Sequence, residues 1–599
     1  MSGRLIPPQG GISDVVHTLI GRHQADPTHL LQILCEIQEI YTHIPREAIR
    51  AIATGLWIPF AEVQGVIDFY SFLHGTPGAR YDLLFSDCIV DEFQGSEALA
   101  QVLCRRLDVE LGKTRADGLV RVGHTSCTGL CDQGPALLVN GQPIPRLDRA
   151  RVETIGELIE QRVALAAWPT GLFQVEEGLR RADRLLGTDW ESGAALRAVG
   201  RRGSAIILEE IKRSGLRGLG GAGFAAGAKW QACRAAPAKE RFVVCNADEG
   251  EPGTFKDRLL LQRYADLVFE GMTLCGRLIG ARQGFLYLRG EYRYLLEHLK
   301  AVLERRRRAG LLGSPILGQA DFAFEIAIHI GAGAYVCGEE SALIESLEGK
   351  RGVPRKRPPF PVTHGYRQQP TVVNNVETFA QSAAIAVHGV AWFRRCGTAQ
   401  SPGTKLLSVS GDCAHPGIYE YPFGIAVAEV LAECGARTPQ AVQIAGAAGH
   451  CIPEAEFHRR IAFEDLATGG ALMVFGQTRD LVAVVRRFAR FFAHESCGFC
   501  TPCRVGTSLL RDLIEKMYRG HGSAIDLAEM RNLAALMQRT SHCGLGQSAA
   551  NSVVDTLDKF PDVWKDRLAV ASFEPAFDLD GALETARHLT GRDDREAHL

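Results

Sequence analysis

Apolar positions in residues 13–75 recur at spacings of three and four: Val15, Val16, Leu19 and Ile20, then Leu30, Leu31, Ile33, Leu34, Ile37 and Ile40. A 3.6-residue repeat gathers these side chains on one face, so the segment predicts amphipathic helices. Near residue 81 the period shortens. Tyr81–Ser86 reads as a strand, 96–111 as a helix and 119–122 as a second strand. Residues 136–139 and 142–146 predict a hairpin about Asn140-Gly141, a dipeptide suited to a two-residue turn. A helix over 152–163 closes a compact α/β unit. Residues 167–200, with Pro169, Gly171 and no clear period, predict a linker or wrapping segment.

Beyond residue 200 a Gly-rich stretch alternates helix-like and strand-like pieces to about 395. Short strands at 405–410 and 418–421 flank the turn Cys413-Ala-His-Pro-Gly417, and a helix follows at 426–434. That order predicts a small β-grasp domain. Residues 478–560 read as helical, and the last stretch reads as a loosely packed tail. The expected partition is therefore 1–75, 76–166, a linker at 167–200, then 201–395, 396–475, 476–575 and a tail at 576–599. The fold class is α/β multidomain.

Composition narrows the function. A chain of 599 residues suggests three to five domains, and 46% hydrophobic with 23% charged residues excludes disordered, collagen-like or coiled-coil proteins. With 67 basic against 69 acidic residues there is no global field to draw in nucleic acid or anionic membrane. No signal-peptide core and no run of 18 apolar residues occurs, so a soluble, cytoplasmic chain is expected. In a reducing compartment the 17 cysteines are metal ligands or redox groups where they cluster tightly.

The tightest cluster is Cys497-Gly-Phe-Cys500-Thr-Pro-Cys503, three thiols on a loop that can wrap a cubane corner. Cys543, in a Gly-containing turn after a predicted helix, supplies a fourth. The set predicts a [4Fe–4S] cluster, with zinc the competing occupant. Gly218-Leu-Gly220-Gly221-Ala-Gly223 follows a predicted helix rather than a strand, so it is not a Rossmann fingerprint. Its exposed N–H groups, a helix starting near 225 and Lys229 still suit a phosphate. Asn246, Asp248, Glu249 and Glu251 follow a predicted strand, and their carboxylates suit ribityl or ribose hydroxyls. Gly338-Glu339-Glu340 and Asn374-Asn375 repeat the glycine, acid and amide chemistry, and convergence on one nucleotide-like ligand accounts for all of these clusters. The basic run 305–308 reads as a solvated helix end.

The ordered blocks R-G-L-G-G-A-G-F-A-A-G-A-K-W, C-N-A-D-E-G-E-P-G-T-F-K-D-R, G-A-G-A-Y-V-C-G-E-E-S-A-L, V-N-N-V-E-T and E-S-C-G-F-C-T-P-C-R closely resemble the flavin- and NADH-binding subunit of respiratory complex I and its relatives. The resemblance spans about residues 200–560. It implies FMN on a Rossmann-like domain, a β-grasp domain and a helical Fe–S bundle. It implies that Gly218, Gly220, Lys229, Asn246, Asp248, Gly338, Glu339, Asn374 and Asn375 hold FMN. Phe224, Glu251, Glu340 and Phe360 would line the NAD(H) pocket, with Glu251 and Glu340 as the geometric catalytic pair. Leu219 departs from the arginine usual in relatives.

Residues 13–165 resemble the thioredoxin-like [2Fe–2S] module of the same assemblies. Cys127 and Cys131 match its second cysteine pair and Cys88 begins the first, but Phe93 holds the partner position. His124, Asp87 or Asp91 are the candidates for a fourth ligand, and a degenerate scaffold without a cluster is the alternative. Fusion of this module to the flavin region, together with the tail from Ser572, is similar to the diaphorase subunit of cytoplasmic NAD-reducing [NiFe] hydrogenases. The partners so implied are a small Fe–S diaphorase subunit and a [NiFe] hydrogenase dimer. An NAD-dependent formate dehydrogenase, complex I or a non-enzymatic electron-transfer scaffold are the rival readings.

Overall fold

The computed structural model describes residues 11–569 and 579–593; the tail motif from Ser572 falls largely outside them. The N-terminal periodicity forms the helices Ile12–Arg22, Leu30–Tyr41, Arg46–Leu56 and Phe60–Phe69. Next comes a four-stranded sheet in the order Val120–Thr125, Tyr81–Ser86, Leu137–Val139, Gln142–Ile144. Asn140 and Gly141 take φ of +49° and +78°, as a type I′ turn requires. The helix expected over 96–111 stops earlier, at Ser96–Leu107, because Asp108 turns left-handed at φ +49°.

A second sheet is fully parallel, in the order Glu325–Ile330, Gln283–Leu288, Phe242–Ala247, Thr371–Asn375. Its central strands are almost continuously apolar, Phe-Val-Val-Cys in one and Gly-Phe-Leu-Tyr-Leu in the next, as burial on both faces demands. The helices Ala265–Ile279 and Val376–His388, packed against each other, are nearly all buried. The third sheet has six strands: His450–Pro453, Pro439–Ile444, Ala471–Gly476, Thr404–Gly411, Gly417–Pro422 and Leu179–Arg181. The C-terminal region packs Leu481–Glu495, Thr501–Tyr518, Ala524–Thr540 and Asn551–Lys559 together. Among the described residues no helix is long and apolar enough to cross a membrane.

Two expectations need correction. Of the two readings of 167–200, linker and wrapping segment, the structure shows the second: it supplies the edge strand Leu179–Arg181 and part of the helix Ala194–Arg202. Buried Glu420 accepts from Asp183 N at 2.8 Å, Leu185 N at 2.7 Å, Leu186 N at 2.8 Å and the Thr404 hydroxyl at 2.7 Å. Buried Glu270 accepts from Gly193 N at 3.0 Å and Ala195 N at 2.9 Å. The segment is thus held by distant carboxylates together with its own buried Leu172, Leu185, Leu186, Leu196 and Val199. Nor is the basic run a fully solvated helix end, since Arg306 is buried and pairs with Asp266 at 3.0 Å and Glu270 at 2.6 Å.

The parallel sheet and the six-stranded sheet meet across a buried ionic network. Lys256 lies 2.6 Å from Asp257 and 3.1 Å from Glu377, which also pairs with Lys405 and accepts from Leu406 N at 2.9 Å. Burial lowers the Lys405 pKa to about 8 against the pull of Glu377. Removing one member strands the others in low dielectric.

Replacing Glu420 with alanine should free the 179–187 segment at about 2 kcal/mol or more, since several backbone donors lose a charged acceptor. Limited proteolysis should then cut within 174–190 at least several-fold faster than in the wild type. Equal cutting rates would show that the carboxylate does not hold this segment.

Candidate functional site

The parallel sheet determines where a ligand can sit. Its strand order builds outward in one direction from Phe242–Ala247 and then returns to place Thr371–Asn375 on the other side. A crevice opens beyond the carboxyl ends of strands at such a switch point. The register sets Asn246 opposite Asn375 and Cys245 opposite Asn374, so the amides converge there. The Gly loop closes over them between the helices Ser204–Ser214 and Ala226–Ala235. A Cβ on Gly220 would lie 3.0 Å from Asn375 Cβ, and Gly223 takes φ +65°.

Within the crevice, Asn246 Nδ2 donates to Gly338 O at 2.8 Å, and Trp230 Nε1 donates to Asn374 Oδ1 at 2.8 Å. Asn375 caps the helix Val376–His388 through Glu377 N at 2.9 Å, and its Nδ2 donates to Asp257 at 2.6 Å. Lys229 Nζ donates to Glu340 at 2.6 Å and to Val373 O at 2.9 Å, so two predicted site residues already form a pair. Glu339 caps the helix Glu340–Leu347 through Ser341 N at 3.0 Å and Ala342 N at 2.9 Å. Phe224 and Phe360 are 61% and 51% exposed, which leaves both rings free to stack on a ligand.

Asp248 Oδ2 is buried without a hydrogen-bond partner, and desolvation raises its carboxyl well above the usual range. A buried acceptor lacking a donor fits a hydroxyl-bearing ligand such as the ribityl chain of FMN. Three details depart from the sequence reading. Glu249 is already engaged: Asp257 N at 2.9 Å, Arg258 N at 3.3 Å and the Tyr292 hydroxyl at 2.9 Å donate to its carboxylate, which organises the loop between Asp248 and Asp257. Gly218 N–H closes the loop onto Phe224 O at 2.8 Å, and Leu219 N–H donates to Thr378 at 3.0 Å. These two backbone donors are therefore already used.

Glu251 accepts from the Tyr335 hydroxyl at 2.5 Å and from Ala448 N at 3.0 Å, joining the parallel sheet's loops to the neighbouring six-stranded sheet. Burial pushes its pKa up to about 7, against the lowering by those donors. Tyr335 was legible only as part of a glycine cluster, and its ring packs on Phe491 with centroids 4.9 Å apart.

The C-terminal thiols line one cavity with Val336, Pro354, Ser496, Phe499, His542 and Leu545. Cys497, Cys500, Cys503 and Cys543 all face it, as the spacing predicts. Zinc thiolates at about 2.3 Å in a tetrahedron would bring sulfurs to roughly 3.8 Å of one another. Among the described residues, three ligand atoms lie within 4.8 Å of one another only at Cys88, Cys127 and Cys131. No three of the C-terminal thiols stand that close together, as a multi-iron cluster with each thiolate on a different iron requires.

The N-terminal trio is fully buried, with Cys131 Sγ 3.7 Å from Cys88 and 3.5 Å from Cys127. Each of the candidate fourth ligands has another partner. Asp87 pairs with Arg487, His124 with Glu97 at 3.4 Å, and Asp91 accepts from the Ser86 hydroxyl at 2.7 Å and Ala136 N at 3.0 Å. Phe93 packs on Phe475 and beneath Arg479 instead. These three thiols alone do not complete the four-ligand set of a [2Fe–2S] centre. Sequence reasoning also missed Arg258 and Arg289, whose guanidinium groups donate to Gly129 O at 2.8 Å and Cys127 O at 2.7 Å and so clamp this loop to the parallel-sheet domain.

Comparison with known proteins agrees with this geometry. Residues 211–384 match the Nuo51 FMN-binding domain, 16–160 the thioredoxin-like [2Fe-2S] ferredoxin, and 483–567 the NADH-ubiquinone oxidoreductase-F iron-sulfur binding region. The chain is 41% identical over 585 residues to the NAD-reducing hydrogenase HoxS subunit alpha of Cupriavidus necator, covering 95% of this chain and 97% of that one. It is 40% identical over 372 residues to the NADP-reducing hydrogenase subunit HndC of Solidesulfovibrio fructosivorans, covering 60% and 76%. A crystal structure of NAD+-reducing [NiFe]-hydrogenase in the H2-reduced state superimposes with a TM-score of 0.89 at 45% identity, covering 96% of this chain and 98% of that one.

Two outcomes follow from the site. Asp248→Ala should lower FMN content at least tenfold after gel filtration, read from flavin absorbance, while the iron content of the C-terminal cluster stays at the wild-type level; full flavin retention would remove Asp248 from the cradle. Because the Glu251 pKa rises from 4.5 to about 7 on folding, its contribution to stability is complete below pH 4.5 and is lost as pH climbs through 7. The fall in Tm between pH 5.5 and 8 should therefore be smaller in Glu251→Gln than in the wild type; an identical fall would show that Glu251 does not titrate there.

Proposed function

Because the chain belongs to the family of the NAD-reducing hydrogenase alpha subunit, we propose that it is the diaphorase of such an enzyme. It moves a hydride between NAD(H) and FMN, and single electrons between FMN and a [4Fe–4S] cluster. On partner subunits, hydrogen oxidation supplies the electrons for NAD+ reduction. One observation carries this reading. The helical turn Tyr335–Gly338 has Val336 in the wall of the cysteine cavity and Gly338 O bonded to Asn246 in the crevice. A single residue, Cys337, therefore separates the flavin cradle from the cluster wall, a short route for electrons.

Bound FMN supplies the conversion between a two-electron hydride and single electrons. The chain's own residues bind and orient. Asn246, Asp248, Asn374 and Asn375 offer donors and acceptors to the ribityl chain and ring edge, and Gly220 with Lys229 meets the phosphate. Lys229, which pairs with Glu340 at 2.6 Å, would be shared between that carboxylate and the phosphate. Phe224 and Phe360 stack on NAD(H), and Glu251 and Glu340 fix its ribose and amide groups. No residue needs to act as acid or base: rate comes from holding the donor carbon against the flavin.

We read the three sheet regions as a thioredoxin-like domain, a Rossmann-like FMN domain and a β-grasp domain. The β-grasp reading is supported by the parallel central pair Thr404–Gly411 and Ala471–Gly476, flanked by antiparallel neighbours. The partners we assign are a small Fe–S diaphorase subunit and a [NiFe] hydrogenase pair, in the cytoplasm.

Tagged chain purified anaerobically with its partners should reduce NAD+ when given hydrogen gas. Failure with hydrogen, while NADH still reduces an artificial dye, would overturn the partner assignment. Glu340→Gln and Glu251→Gln should each raise KM for NADH about tenfold with FMN still bound, in line with the loss of a hydrogen bond to a charged acceptor. Unchanged KM in both would remove them from the nucleotide pocket.

A further inference from the structure

Glu495 immediately precedes the Ser496-Cys497 step at the end of the helix Leu481–Glu495, yet its carboxylate points at two other parts of the chain. One oxygen accepts from the Ser126 hydroxyl, one residue before Cys127. The other accepts from Tyr335 N at 2.9 Å, the first N–H of the turn Tyr335–Gly338. Tyr335 carries the arrangement onward, since its hydroxyl donates to Glu251 at 2.5 Å and Glu251 also accepts from Ala448 N at 3.0 Å. Phe491 and Phe492, on the same helix as Glu495, pack against the Tyr335 ring with centroids 4.9 and 6.3 Å away.

We propose that Glu495 is a positioning residue for the nucleotide pocket, holding Tyr335 by its backbone and, through the Tyr335 hydroxyl, the Glu251 carboxylate. The proposal rests on the reading of Glu251 as a nucleotide contact. Its physical basis is that a backbone N–H, an aromatic ring and a phenol leave Tyr335 no freedom once all three are engaged. The N–H is fixed by Glu495, the ring by two phenylalanines of the same helix, and the hydroxyl by Glu251. Without Glu495 the first N–H of the turn loses its acceptor, and the loop that carries Tyr335, Gly338 and Glu340 can shift against the sheet. Glu251 would then keep its Ala448 contact but lose a fixed second donor. The loop that begins at Ser126 is tied to the same carboxylate, so one side chain sets the nucleotide pocket in register with both cysteine sites.

The test is steady-state NADH oxidation with an artificial dye, using the purified complex and the variants Glu495→Ala, Tyr335→Phe, their double, and Glu251→Gln. Glu495→Ala and Tyr335→Phe should each raise KM for NADH about tenfold while kcat stays within about twofold of wild type. The double variant should be no worse than the poorer single, because both break one chain of contacts. FMN absorbance and the low-temperature spectrum of the reduced cluster should be those of the wild type. An unchanged KM in Glu495→Ala, with Glu251→Gln raised, overturns the proposal and leaves the pocket reading standing. If Glu251→Gln is also unchanged, the pocket reading itself has failed. A parallel fall in kcat and cluster content, or additive effects in the double, would make Glu495 a structural tether and overturn the positioning role. Should Glu495→Ala lose its cluster, Tyr335→Phe decides: an unchanged KM there overturns the proposal too.

Discussion

A carboxylate taken out of water must be surrounded by donors, and in this chain many of those donors are backbone N–H groups of distant segments. Glu420 gathers three from the 183–186 turn, Glu270 gathers three from the start of the helix Ala194–Arg202, and Glu249 gathers two from the start of Lys256–Arg263. Glu377 holds Leu406 N together with two buried lysines. Each bond is strengthened by low dielectric, and each is expensive to break on one side only. A multidomain chain with these clamps has domains whose relative placement is specified by charge, not only by apolar contact. That matters for a site made from loops of several domains.

The crevice depends on this placement. Parallel strands deliver their loops to one edge, and the strand order opens a gap between Asn246 and Asn375. Nothing in the sheet itself brings the cysteine helices to that edge. The Tyr335–Gly338 turn does so, packed on Phe491 and Phe492 and reaching both the flavin cradle and the cluster wall. The N-terminal helices brace the same loop from the far side, where Ser71 N and Phe72 N donate to Gly333 O and Ala332 O at 3.1 and 3.0 Å. A Cβ at Gly333 would collide with the Ser71 hydroxyl, so the glycine is needed for that approach as well as for its φ of +81°.

Much of the chemistry was legible because it is local. The C-x2-C-x2-C loop, the glycine run and the Asn374-Asn375 pair announce themselves by spacing; the thiols line one cavity, and the glycine run meets Asn375 at the strand ends. What stayed hidden depends on partners far along the chain. The segment 167–200 shows no single period because it is held piecewise, by Glu420 and Glu270 and by scattered core side chains such as Leu172, Leu185, Leu196 and Val199. Glu249 reads like its neighbours Asp248 and Glu251, and only the fold shows that it is consumed by a helix start. Arg306 looks solvated in a run of arginines until Asp266 and Glu270 arrive from another helix. The fourth ligand expected beside Cys88, Cys127 and Cys131 was sought among nearby polar residues, and every one of them is engaged elsewhere.

If the flavin crevice and the C-terminal cysteine cavity form one electron path within a single chain, the cluster must take its electrons from NADH through the flavin. An anaerobic titration with NADH, followed by low-temperature electron paramagnetic resonance of the [4Fe–4S] cluster, tests it most directly in wild type and in the Asp248→Ala protein stripped of FMN. The reduced-cluster signal should grow with NADH in the wild type and be absent without FMN. A cluster reduced equally well without flavin, or never reduced with it, would rule out a path through the flavin.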